Sequence, residues 1–172
     1  MTRARPDLEI IIELSLGDER WKSIELNKIA KSAASEALIV AEADTGTFEI
    51  SILGCDDRRI TELNGTFRDK PSPTNVLSWP DTDLSSSGKW PHKPKPPCFL
   101  GDIAIAFETT NREADGANIS LQNHVTHLLL HATLHLLGFD HETDTDAAQM
   151  EGLEIIALAR MGIENPYLVD SK

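Results

Sequence analysis

The segment from Ser120 to Leu137 constrains the chain more than any other. Helical spacing sets Leu121, Val125, Leu128, Ala132 and Leu136 on one flank and Leu130, Leu134 and Leu137 on another, so this helix has to be covered on two sides. It is therefore a central, buried element around which the rest of the fold is arranged. Between the flanks runs a stripe of His124, His127, His131 and His135, with Gly138 continuing the line where the helix can end. Several imidazoles along one stripe of a buried helix bring polar nitrogens into a low-dielectric region, where leaving them unpaired is costly.

The remaining pattern supplies the layers that cover such a helix. Residues 8 to 14 and 47 to 53 are short, aliphatic and β-branched, and read as strands. Between them, about 22 to 43 carries apolar residues at helical spacing through Leu26, Ile29, Ala33, Ala37 and Val40, which makes a β-α-β unit and favours a parallel pair. Asp56 can cap a helix bearing Ile60, Leu63 and Phe67, which Pro71 and Pro73 stop. Asn75 to Trp79 is a third strand and Phe99 to Phe107 a fourth. The Ser-, Gly-, Lys- and Pro-rich stretch from Pro80 to Pro97 reads as a long loop, so the fourth strand should return antiparallel beside the third. Two helices close the chain, from about Ser120 to Leu137 and from about Asp146 to Met161, the latter burying Met150, Leu153, Ala157 and Met161. The expectation is one α/β (α+β-like) domain over residues 1–172, a sheet packed by helices.

Composition excludes several classes. A net charge of −12 argues against coating nucleic acid or anionic membrane by bulk charge, so any anionic substrate needs a local basic site. Glu9 and Glu13 interrupt the first apolar stretch, no signal-peptide core can be drawn, and no apolar run approaches the roughly 18 residues of a membrane span. Cys55 and Cys98 lack close-spaced partners and read as reduced thiols. These readings point to a cytoplasmic protein that makes no use of a membrane.

The chemistry concentrates in His131-Ala132-Thr133-Leu134-His135-Leu136-Leu137-Gly138-Phe139-Asp140-His141. Histidines one helical turn apart can chelate one ion, and a reversal at Gly138 can return His141 as a third ligand, leaving a fourth tetrahedral position open to water. A bare pair would be read as ordinary core histidines; Gly138 and His141 turn the reading toward catalytic zinc. The spacing resembles the metzincin protease signature, except that Ala132 stands where that signature has its catalytic Glu. Without that carboxylate the frame lacks the base that proteolysis requires.

Four stretches then carry a closer resemblance: Leu63-Asn64-Gly65-Thr66-Phe67-Arg68, Pro73 to Pro80 (PTNVLSWP), Leu100-Gly101-Asp102-Ile103, and the frame from His131 to His141, with Asn165-Pro166-Tyr167 near the end. In these the chain resembles the YbeY endoribonuclease family, bacterial zinc-dependent RNases of ribosomal RNA maturation. Ala132 replaces a usual Gly and Trp79 a usual Phe. The resemblance implies a four-stranded mixed sheet, one zinc ion on His131, His135 and His141, and Arg68 as the catalytic arginine. It also implies cleavage of single-stranded RNA in rRNA processing, including 16S rRNA 3′-end maturation, and a part in ribosome quality control. Small-subunit ribosomal proteins and an Era-type GTPase are the implied protein partners.

Arg68 suits that role physically, because a planar, always-charged guanidinium can hold two oxygens of a phosphodiester that gains negative charge under attack; a solvated partner for Asp69 is its plainer alternative. From Arg58 to Lys95 there are seven Lys or Arg against four Asp or Glu, a net of +3 on an otherwise acidic body. Arg59 and Lys70 are the expected RNA contacts; Arg58, Lys89, Lys93 and Lys95 are further candidates. His124 and His127 are left as partners of the ligands or as cavity lining, and Asp102 and Asp140 as groups that could orient an imidazole or water. The competing functions are a ribosome-assembly factor with a structural zinc and, disfavoured by Ala132, a metalloprotease-like hydrolase.

Overall fold

The structure is a computed structural model that describes residues 7–43, 45–82 and 97–168. Strands β1 (Leu8–Leu16) and β2 (Gly46–Cys55) pair in parallel, with Ile10 beside Phe48 and Ile12 beside Ile50. The connecting segment holds a 3-10 turn over Glu19–Ser23 and helix α1 (Leu26–Val40), so the helix expected from about 22 to 43 is shorter and preceded by a separate turn. Asp18 explains the break, since its side chain accepts from the Arg20 backbone N–H and caps the turn rather than a longer helix. Trp21 in that turn is fully buried and donates its indole N–H to the Cys55 carbonyl at 2.9 Å. Gly54 makes room for it: a Cβ there would lie 2.8 Å from the Trp21 ring.

Helix α2 (Asp57–Arg68) is capped by Asp56, which accepts from the Arg59 N–H, as the sequence indicates. Ile60 is buried, but Phe67 is 62% exposed and rests edge-on against Trp79. Strand β3 (Val76–Pro80) pairs antiparallel with β4 (Cys98–Ala106), and β4 pairs in parallel with β2, giving a mixed sheet in the order β1-β2-β4-β3. Gly101 sits within β4 where the β2–β4 register shifts, at φ +144; a Cβ there would overlap the Trp79 carbonyl oxygen, so this strand position needs glycine to keep β3 and β4 paired. Most of the Pro80–Pro97 loop, residues 83–96, lies outside the described residues.

Three helices rather than two follow the sheet: α3 (Phe107–Ala117), α4 (Leu121–Leu136) and α5 (Asp144–Arg160). Helix α3 corrects the reading of Phe107 as strand. Its N-cap is Ala106, which offers no side-chain acceptor; Asp57 of α2 serves instead, taking the Thr109 N–H at 3.0 Å and the Thr109 hydroxyl at 2.8 Å. Helix α4 is central: it touches α1, α3, α5, β3 and β4, and Val125, Leu129, Leu130, Ala132, Leu134 and Leu136 are all buried. The alanine-rich face of α1, with Ala30, Ala33, Ala34 and Ala37 buried, lets that helix approach α4 closely. Among the described residues no helix is long and apolar enough to cross a membrane.

Candidate metal and active site

Helix α4 begins with Ser120 accepting from the Asn123 N–H and ends in a glycine reversal. At that end the Phe139 N–H bonds the Leu134 carbonyl and the Gly138 N–H bonds the His135 carbonyl, while Gly138 takes φ +99. This is the paired closure of a Schellman turn, and the left-handed position is what requires glycine. The reversal brings His141 back over the last turn of α4, with its ring stacked on His131 at a centroid distance of 5.6 Å and 5.1 Å from that of His135. His131, His135 and His141 each offer a nitrogen, and these ligand atoms lie within 4.8 Å of one another.

The hydrogen bonds behind the rings settle where the protons sit. His131 Nδ1 is 2.9 Å from Glu154 Oε1, and His135 Nδ1 is 2.9 Å from the Phe139 carbonyl. A carbonyl accepts only, as does an ionised carboxylate, so both Nδ1 atoms carry hydrogen, and in a neutral ring the Nε2 atom then presents its lone pair. Those two Nε2 atoms face each other at 3.1 Å. Burial, reinforced by the neighbouring His131 and His141, lowers the His135 pKa to about 4, so near neutral pH His135 Nε2 presents a lone pair to the gap. A cation set between the two nitrogens could be held by both. Tetrahedral zinc, with Zn–N bonds of about 2.0–2.1 Å, sets two nitrogens roughly 3.3–3.4 Å apart, so the donor set fits a metal ion of this kind.

The three histidines line a cavity of about 340 Å³ shared with Arg68, Ser78 and His127. Arg68 is the last residue of α2; Asp69 follows at φ 55 as a left-handed cap, and the guanidinium turns to the Ser78 carbonyl on β3 at 3.4 Å. The loop between them is fixed by Asn64, buried in α2, whose side-chain amide donates to the Ser72 carbonyl. Asn75 holds the far side, donating to Glu113 of α3 at 3.0 Å while its carbonyl accepts from Ala106. Ala132, buried on the cavity floor, leaves no carboxylate where a protease would carry one.

The other expected contacts lie elsewhere. Arg59 is ion-paired with Glu62 at 3.1 Å and Lys70 is exposed, and neither lines the cavity; Arg58 also approaches Glu62. Lys89, Lys93 and Lys95 fall outside the described residues. Asp102 lines a separate groove with Glu13 and Trp79, where burial and then Asp81 and Glu13 push its pKa upward. Asp140 accepts from the His141 backbone N–H. His124 pairs with Glu113 at 2.9 Å, whereas His127 lines the cavity and bonds Glu154 at 3.0 Å.

Glu154 is the group sequence reasoning missed. It is fully buried on α5, and its carboxylate accepts from His127, His131 and the Tyr167 hydroxyl. Burial alone would raise its pKa; the hydrogen bonds from His127, His131 and Tyr167 outweigh that and bring it down to about 2. Tyr167, in the Asn165-Pro166-Tyr167 segment, is pushed upward by burial and by this carboxylate.

A mixed sheet packed by helices, with three imidazoles that could hold a metal ion beside an arginine in one cavity and no carboxylate at Ala132, defines an α/β protein with a candidate metal site. The endoribonuclease YbeY family model matches residues 13–162, and the chain belongs to that family. It is 48% identical over 171 residues to the endoribonuclease YbeY of Dinoroseobacter shibae, covering 95% of this chain and 94% of the relative. It is 50% identical over 165 residues to that of Ruegeria pomeroyi, with 92% and 99% covered. The solution structure of TM1509 from Thermotoga maritima shares the fold, with a TM-score of 0.54 at 18% identity over 88% of this chain and 92% of that one.

Proposed function

We propose that the chain is a zinc-dependent, single-strand-preferring endoribonuclease of ribosomal RNA processing, acting in 16S rRNA 3′-end maturation and in ribosome quality control. Family membership supports RNA as the substrate. The observation that carries the metal reading is the convergence of His131 and His135 Nε2 atoms, 3.1 Å apart, with a nitrogen of His141 within 4.8 Å of them. Zinc held there would supply Lewis acidity toward a phosphoryl oxygen and toward water. Arg68 shares the cavity and would hold the equatorial oxygens of the phosphodiester as their charge grows. His127, on the same wall, would line the path of the strand. Arg59 and Lys70 would meet RNA only beyond the cavity rim. Small-subunit ribosomal proteins and an Era-type GTPase are the proposed partners that position the substrate, in the cytoplasm.

A closed structural zinc is disfavoured because His141 is exposed and the cup opens into a cavity. The deciding experiment combines elemental analysis of purified protein with cleavage of single-stranded RNA before and after chelation. About one zinc per chain, with activity lost on chelation and restored by zinc, is expected. Full cleavage by metal-free protein would overturn the assignment.

A further inference from the structure

Glu154 contributes no atom to the cavity lining, yet it is 0% exposed and fully used. Its Oε1 accepts from His131 Nδ1 at 2.9 Å and from His127 Nε2 at 3.0 Å, and its Oε2 accepts from the Tyr167 hydroxyl at 2.7 Å. A buried carboxylate costs free energy unless its lone pairs are satisfied, and here the donors come from two turns of α4 and from the C-terminal segment. Without it, His131 Nδ1 loses the acceptor that holds it, and nothing fixes which of the ring's nitrogens bears the proton. His135 differs, because its Nδ1 is held by the backbone carbonyl of Phe139, which no side-chain replacement removes.

We propose that Glu154 is the positioning residue of the metal cup: by accepting from His131 Nδ1 it fixes the ring's tautomer and aims the Nε2 lone pair at the ion, with His127 and Tyr167 holding the carboxylate in place. The proposal rests on the zinc reading above. Glu154 touches neither substrate nor metal; it acts through His131. An acceptor behind a ligand imidazole also raises the basicity of the ligating nitrogen, and losing such an acceptor costs on the order of 10–100-fold in metal affinity.

The test uses the full chain labelled with ¹⁵N-histidine, metal-free for NMR and then titrated with zinc against a chelator. In the wild type His131 should be the Nδ1–H tautomer before any metal is added. Glu154→Met, an apolar replacement of similar length, should leave His131 a mixture of tautomers and weaken zinc binding by about 10–100-fold while the circular dichroism spectrum is kept. Glu154→Gln keeps an acceptor oxygen without the charge and should restore much of both, which a merely structural role would not produce. Nε2–H on His131 in the wild type, or zinc affinity unchanged in a folded Glu154→Met variant, overturns the inference alone, and if Glu154→Met does not fold the wild-type tautomer still decides. A wild-type chain that takes up no zinc overturns the metal reading and this inference together.

Discussion

Arg68 and the imidazoles facing it are where single atoms decide the chemistry. Arg68→Lys keeps the charge but not the planar fork, so it should lose at least tenfold in RNA cleavage while keeping fold and zinc content, with the loss in the chemical step. Single-turnover rates equal to wild type at saturating RNA would remove Arg68 from the transition state. His135 carries a pH prediction. Its folded pKa, near 4, lies below the ordinary 6.5, so as pH falls the unfolded chain takes up this proton first. Stability from the neutral ring is therefore complete above about 6.5 and lost as pH falls through 4, and protons compete with metal over the same range. Thermal melts of metal-free protein should fall between those values, and more steeply in the wild type than in His135→Ala. The three histidines were legible because helical period and one glycine determine where their side chains go. Glu154 was not, since α5 also carries Asp144, Asp146 and Glu151, and an acidic helix reads as a solvated face. The signal that existed was its place one turn beyond Met150 and three residues before Ala157, on the stripe that is buried.

Among the elements, those that carry their own signals matched best. α2 and α4 start at the polar caps that the sequence offers, and the β1–β2 crossover follows from a helix set between two aliphatic runs. Helix α3 was hidden because its N-terminus is completed by Asp57, 52 positions away from Thr109, and its body contains Thr, Asn, Asp and Gly, which favour turns. Local sequence holds no record of a cap supplied by another helix. The turn after α4 makes the element-scale prediction. Gly138 stands at φ +99, so Gly138→Ala should cost about 1–2 kcal/mol of stability from backbone strain alone. It should also displace the Phe139 carbonyl that holds His135 and the return of His141, so zinc affinity should fall along with the melting temperature. Paired melts and zinc titrations check this; a variant that loses stability but binds zinc normally would separate the turn from the cup.

At the scale of the whole molecule, the sequence shows how much charge there is but not where it acts. The +3 stretch offers Arg59 and Lys70 as RNA contacts, whereas Arg58 and Arg59 share Glu62 and, among the described residues, Arg68 is the one Lys or Arg in the cavity lining. Elsewhere the body is acidic, the whole chain carrying a net charge of −12, so a strand entering the cavity meets few cations and much repulsion beyond it. Each phosphate neutralised on single-stranded nucleic acid contributes a slope of roughly −0.7 to log affinity against log salt, so one to three contacts predict a slope of only about −1 to −2. Such weak electrostatic capture leaves selection of the cleavage site to shape, to an exposed RNA end or to a ribosomal partner. Changing Lys89, Lys93 and Lys95 together to Ala should flatten the slope and weaken binding of free RNA while leaving zinc content unchanged. The measurement is RNA affinity across a salt series for both proteins. A slope unchanged in the triple variant would take the Pro-Lys segment off the binding surface and leave Arg58, Arg59 and Lys70 to account for contacts outside the cavity, whereas a wild-type slope several times steeper would mean that many more phosphates are neutralised than this distribution of charge allows.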